Sequence, residues 1–232
     1  MIMRTFQYII TAAAIFMFST VYAQEDSSWQ KTFGISNCNL LTTGQNQYFI
    51  LEPGHQLVLE GEDEKVQITV LHETKAVDGV ITRVVEEKEW KDGNLYEISR
   101  NYFAMCEQRK DVFYFGEDVD FYKDGKVVRH EGAWLAGTDG YRAGLIMPGT
   151  PKVGMKYYQE IAPGVAMDRA EIISLDERCK TPAGTFSNCM KVRESTPLEV
   201  GQKDYKYYAP GIGLVQDEDL VLTKHGVVRD GQ

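Results

Sequence analysis

The chain has 232 residues, 43% of them hydrophobic, and a formal net charge of −9. That acidity, with no cluster of Lys or Arg, excludes a nucleic-acid partner and an anionic lipid surface, both of which would be repelled. The length suits one domain with a sizeable core.

Residues 1–23 read as a signal peptide. A short basic start carrying Arg4 precedes an apolar run over residues 8–17, and Val21-Tyr22-Ala23 fits the small-x-small pattern before a cut. Cleavage after Ala23 leaves Gln24, not Cys, at the new N-terminus, so a lipid anchor is not expected. No later stretch is long and apolar enough for a transmembrane helix, and the expected location is periplasmic or secreted. In such a compartment disulfides are the default for Cys38, Cys106, Cys179 and Cys189. Cys179 and Cys189 are symmetric about Gly184, and a hairpin turn over residues 182–185 would set them face to face. The expected bonds are Cys179–Cys189 and, by elimination, Cys38–Cys106.

Residues 24–47 show little periodicity and read as a loosely ordered lead-in. Residues 48–232 read as a single all-β domain. Residues 56–60 form a strand after a turn at Glu52-Pro53-Gly54, and residues 65–71 alternate apolar with polar, the pattern of a half-buried strand. Asp78-Gly79, Asp92-Gly93 and Asp124-Gly125 sit between β-rich runs, where Asp-Gly supplies the positive φ angles of a type I′ hairpin turn. Five glycines and Pro148 between residues 132 and 149 predict a long loop, of the kind that closes over binding sites. Strands follow over residues 157–161, 165–175, 186–194, 203–208 and 212–222. Two of them end in Ala162-Pro163-Gly164 and Ala209-Pro210-Gly211, each after a Tyr pair (Tyr157-Tyr158, Tyr207-Tyr208), and both read as places where the sheet bends. No window shows a sustained helical period. The predicted fold is a single antiparallel meander curled into an open or nearly closed barrel, with a two-sheet β-sandwich as the alternative.

Chemistry is sparse. His55, His72, His130 and His225 are scattered, with no metal-ligand spacing, and no metal or other cofactor is expected. Asp118, Asp120 and Asp124 fall short of a calcium loop because Phe121 and Tyr122 stand where ligands are required. No nucleophile elbow is present. Glu60, Glu62, Asp63, Glu64, Glu86, Glu87 and Glu89 read as a solvated outer face, and no carboxylate stands in an evidently apolar setting that would make it an acid catalyst. Aromatic residues are the surplus. A concave, aromatic-lined groove closed by residues 132–149 would place Phe115, Trp134, Met147 and Tyr158 against an apolar or amphipathic, lipid-like ligand.

The segments Asp78-Gly-Val-Ile-Thr-Arg-Val-Val85, Tyr114-Phe-Gly-Glu-Asp118, Glu131-Gly-x-Trp134, Thr181-Pro-Ala-Gly-Thr-Phe186 and Tyr207-Tyr-Ala-Pro-Gly-Ile-Gly-Leu-Val215 resemble a family of exported bacterial proteins and lipoproteins of unknown function. The resemblance spans roughly residues 46–220 and carries no activity and no site residues. The Thr-Pro-x-Gly-x-Phe hairpin is also similar to periplasmic curved-sheet proteins such as the lipoprotein carriers, which implies a half-open barrel. The expected function is a non-enzymatic exported binder of an apolar or amphipathic molecule. The alternatives are a structural or protein-interaction module of the cell envelope, and a hydrolase using Glu117, Asp118 and Glu131.

Overall fold

A computed structural model describes residues 28–199 and 201–228. The expected signal peptide lies outside the described residues.

The N-terminal segment carries a 3-10 turn (Ile35–Asn37) and three short strands, β1 (Leu40–Leu41), β2 (Gln45–Asn46) and β3 (Phe49–Ile50). An antiparallel meander follows: β4 (His55–Glu60), β5 (Glu64–Val77), β6 (Val80–Lys91), β7 (Asn94–Cys106), β8 (Val112–Lys123) and β9 (Lys126–Arg129). Two-residue turns join its long strands, with Val77 opposite Val80, Lys91 opposite Asn94 and Lys123 opposite Lys126. Asp78 and Gly79 take φ of 49° and 75°, and the other two Asp-Gly pairs match them closely. These are the type I′ turns the dipeptides demand.

β10 (Trp134–Leu135) and β11 (Arg142–Met147) both return to β8. The predicted glycine-rich loop is therefore partly strand. Gly144 explains why glycine is needed there without a loop: a Cβ would stand 2.1 Å from the Gln159 carbonyl oxygen. Gly116 plays the same part on β8, at φ 132°, where a Cβ would meet the Trp134 carbonyl at 2.3 Å. Next come β12 (Lys156–Tyr158) and β13 (Glu160–Ile161), then a second meander of β14 (Arg169–Thr181), β15 (Gly184–Ser195), β16 (Asp204–Ala209), β17 (Gly213–Asp217) and β18 (Leu220–Val227).

One antiparallel path connects these strands, in the order β12-β14-β15-β16-β17-β18-β4-β5-β6-β7-β8-β11-β13. β18 pairs with β4 and so joins the second meander to the first. The two ends of the path are adjacent halves of one segment: Lys156–Tyr158 pairs with β14, and Glu160–Ile161 with β11. The sheet is a nearly closed barrel with one unsealed seam at this switch. An eight-stranded barrel is about filled by its own side chains, so a longer path leaves interior space. Both Ala-Pro-Gly sites are tight turns, with Ala209 opposite Gly213 and Ala162 bridged to Ala166.

The N-terminal segment is strapped to one end of the barrel. β1 pairs with the end of β7, beyond the last rung of β6, and the Cys38–Cys106 disulfide ties it there with a Cα–Cα distance of 5.1 Å. Arg83, 6% exposed, reaches from β6 to the strap and to a bulge in β5. Its Nε donates to the Thr42 carbonyl at 2.9 Å, and its Nη1 to the carbonyls of Leu71, His72 and Glu73, at 2.7 Å for His72. The bulge frees carbonyls from the ladder, and one guanidinium satisfies them. Among the described residues no helix is long and apolar enough to cross a membrane.

Two sequence expectations are corrected. Residues 212–222 are not one strand, because Glu218 at φ 50° and Asp219 turn the chain between β17 and β18. Cys179 and Cys189 are free, buried thiols. The hairpin turns at Pro182-Ala183, with Thr181 opposite Gly184, and not at Gly184. Cys179 consequently faces Phe186, while Cys189 faces Glu177 after a register shift. The two thiols share a small core with Leu57, Leu59, Val215 and Leu222.

Candidate functional site

Alternation along a strand sends successive side chains to opposite faces, so one interior residue fixes its neighbours two positions away. On β6, Val85 and Glu87 face inward while Glu86 faces outward, where it meets Lys88 at 2.7 Å and Arg100 at 3.3 Å. On β7 the inward residues are Asn101 and Phe103, and on β16 they are Lys206 and Tyr208. Together they enclose a partly open cavity of about 210 Å³.

The cavity has two chemically distinct walls. One is apolar: Phe49 and Ile50 from the strap, Ile68 and Val70 from β5, Phe103, and Leu214 from β17. Phe49 and Phe103 meet edge to face with centroids 5.2 Å apart, so the strap forms part of this wall. The other wall is acidic. Glu87 on β6, Glu160 on β13, Asp168 just before β14 and Glu194 on β15 converge on the cavity, and among the described residues Lys206 is the one ammonium in its lining. Lys206 lies 3.0 Å from Glu194 and 3.5 Å from Asp217.

This wall is electrostatically strained. Burial, then the charge of Glu89, pushes the Glu87 carboxyl up to about 8. Burial, then Glu117 and Asp168, drives Glu160 well above the carboxylate range, and burial and Glu194 raise Asp168. Burial opposes the Lys206 ammonium, but Glu194 and Asp217 outweigh it and hold the lysine firmly charged. Burial and Glu89 also lift Glu97 to about 7, and burial lifts Glu117 to about 7 against a hydrogen bond from Tyr114. The expectation that Glu87 and Glu89 belong to a solvated outer face is thus corrected, as is the expectation that no carboxylate has a raised pKa. In the run Glu86-Glu87-Lys88-Glu89 only alternate residues are outside.

Gln159 completes the acidic wall. It is 4% exposed and lies at the seam between β12 and β13. Its Nε2 donates to Glu194 Oε1 at 2.7 Å, and this fixes the amide's orientation, because the oxygen could not face a carboxylate. Its Oε1 is buried with no hydrogen-bond partner, a state that costs about 1–3 kcal/mol.

None of Phe115, Trp134, Met147 and Tyr158 lines this cavity. Phe115 and Met147 follow inward-facing Tyr114 and Ile146 and so occupy the opposite face, buried in the main core. Trp134 stands behind Tyr114, with ring centroids 5.4 Å apart. Tyr158 is covered from outside by Trp29 and by the Lys31 ammonium. Of the carboxylates considered for hydrolysis, Glu117 points inward, Asp118 is bound by Lys75 at 2.7 Å and by Tyr102, and Glu131 is exposed beside Arg129. The three do not meet. Among the described residues no group of His, Cys, Asp and Glu has metal-binding geometry.

Comparison of the chain with protein-family models, with curated proteins and with solved structures returned no match.

Proposed function

We propose that this is an exported, non-enzymatic protein that holds one small amphipathic molecule inside its barrel. The observation that carries the reading is the two-walled cavity, apolar on the strap side and acidic on the seam side. Export rests on the signal-like residues 1–23 and agrees with the Cys38–Cys106 bond, which persists in oxidising compartments. The kinship with exported proteins of unknown function rests on the motifs that end at Val215.

Native mass spectrometry of protein purified from its own host tests the reading. A stoichiometric small molecule, absent from a Val85→Trp variant whose indole fills the apolar wall, is the expected result. A protein that carries nothing, and that binds no fluorescent amphiphile either, refutes it. A second reading, acid–base hydrolysis, draws on Glu87, whose raised pKa in a cavity suits a general acid. Turnover of a glycoside or ester substrate that disappears in Glu87→Gln would favour it over binding alone.

A further inference from the structure

The interior carboxylates and the orphaned amide oxygen ask for the same thing. Lys206 is engaged by Glu194 and Asp217, and among the described residues no ion pair joins Glu87, Glu160 or Asp168 to a cation. Glu87, Glu160 and Asp168 therefore line the cavity with no salt-bridge partner of their own, and share the more distant charge of Lys206. Gln159 Oε1, turned away from Glu194 by the bond its own nitrogen makes, needs a hydrogen-bond donor. An anion would add to the negative charge of this wall, and a molecule with acceptors alone leaves Gln159 Oε1 without a donor. A bare metal ion would waste the apolar wall, and the described residues offer no ligand geometry for one.

We infer that the cavity selects a small amphipathic amine, with its N–H-bearing cationic end among Glu87, Glu160 and Asp168, its donor on Gln159 Oε1, and its apolar body against Phe103 and the strap. This rests on the reading of the barrel as a small-molecule binder and names the class of molecule. Glu87, Glu160 and Asp168 are each held up by burial and by neighbouring carboxylates, so an entering ammonium favours their ionised forms, which release their protons to solvent and become its partners. The aromatic rings of Phe49, Phe103, Tyr114 and Tyr208 around the cavity suit an aryl or branched alkyl body, and the cavity's volume limits it to one small molecule.

Calorimetric titration of the full-length mature protein with 2-phenylethylamine and three relatives of the same body tests the inference. The relatives are 2-phenylethanol, the trimethylammonium analogue and 3-phenylpropanoate. The amine is expected to bind at least about tenfold tighter than the alcohol, since a charge-assisted hydrogen bond replaces a neutral one. The trimethylammonium analogue, with charge but no N–H, falls between them, and the carboxylate does not bind. Gln159→Leu should remove the preference for the primary amine over its trimethyl analogue, because the analogue has no N–H to lose there. If the alcohol binds as tightly as the amine, the amine inference fails and the binding reading stands. If none of the four binds and no molecule co-purifies, the binding reading fails with it. The four probes are compared on the unaltered protein, so the outcome does not depend on any variant folding.

Discussion

Replacing Glu87 by Gln should make the ligand-free protein more stable, and only above a definite pH. Gln keeps the shape and removes the ionisable group. The Glu87 carboxyl titrates at about 8 in the folded chain against 4.5 when unperturbed. An acid whose folded pKa is raised binds its proton more tightly in the native state. It therefore costs nothing below 4.5, where both states are protonated, and its cost grows as the pH climbs toward 8. At pH 7 the unfolded chain has released the proton while the folded one mostly retains it, and at about 1.36 kcal/mol per unit the difference is about 3 kcal/mol. Water inside the cavity screens part of this, which puts the expected gain at about 1–3 kcal/mol. Urea unfolding of both proteins at pH 4, 5, 6, 7 and 8 would display it as a gap between midpoints that opens steadily with pH. A gap that is constant with pH, or a variant less stable than the parent at pH 7, would show that Glu87 does not sit in the barrel's interior.

The Cys38–Cys106 bond closes a loop over a sequence separation of 68, which by the chain-entropy relation is worth about 4 kcal/mol. The double Cys38→Ala, Cys106→Ala variant should unfold at markedly lower urea, and a loss under about 1 kcal/mol would mean the strap is held by its other contacts alone. Arg83→Met keeps the aliphatic stem but orphans the carbonyls of Thr42, Leu71, His72 and Glu73; a loss of at least about 3 kcal/mol is expected, partly recovered in Arg83→Lys, and an unchanged midpoint would contradict the bulge contacts. Alkylation followed by peptide mapping should find Cys179 and Cys189 unreactive in the native protein and both modified in denaturant, whereas a cross-linked Cys179–Cys189 peptide would show that these neighbouring thiols are oxidised and not free.

The turns were legible because they depend on local chemistry. Asp78-Gly79, Asp92-Gly93 and Asp124-Gly125 needed only their own φ preferences to set three hairpins, and with them the run β5-β6-β7 and the pair β8-β9. The turn at Glu218-Asp219 was not legible, since no Gly or Asn signals the left-handed residue and the surrounding ladder imposes it. The site was hidden for a different reason. Alternation tells which residues share a face but not which face is inside, and a polar side chain is assigned to solvent by default. Glu87 and Glu89 broke that default because the barrel is wide enough to hold charge. Aromatic residues misled in the opposite direction: Phe115, Trp134 and Tyr158 serve the packing behind the wall, as does Met147. The Cys38–Cys106 bond emerged from an elimination whose first step paired Cys179 with Cys189, which here lie free in one small core.

The seam also bears on how fast the chain can fold. Its segment pairs on one side with β11 and on the other with β14, both close in sequence, so closing the barrel there demands little loop entropy. The β4–β18 ladder is the opposite case. It brings His55 to Val227, and among the described residues no other rung of the barrel spans so much chain. Beyond it the Val228 amide donates to the Gly54 carbonyl at 2.8 Å, so the two ends of the ladder already touch. A circular permutant that opens the chain in the exposed stretch near Leu198, and joins residue 228 to residue 28 through a flexible linker, would keep the strap and bring the most distant pairing to within a few tens of residues. Its refolding should be faster than the parent's while the native barrel stays the same.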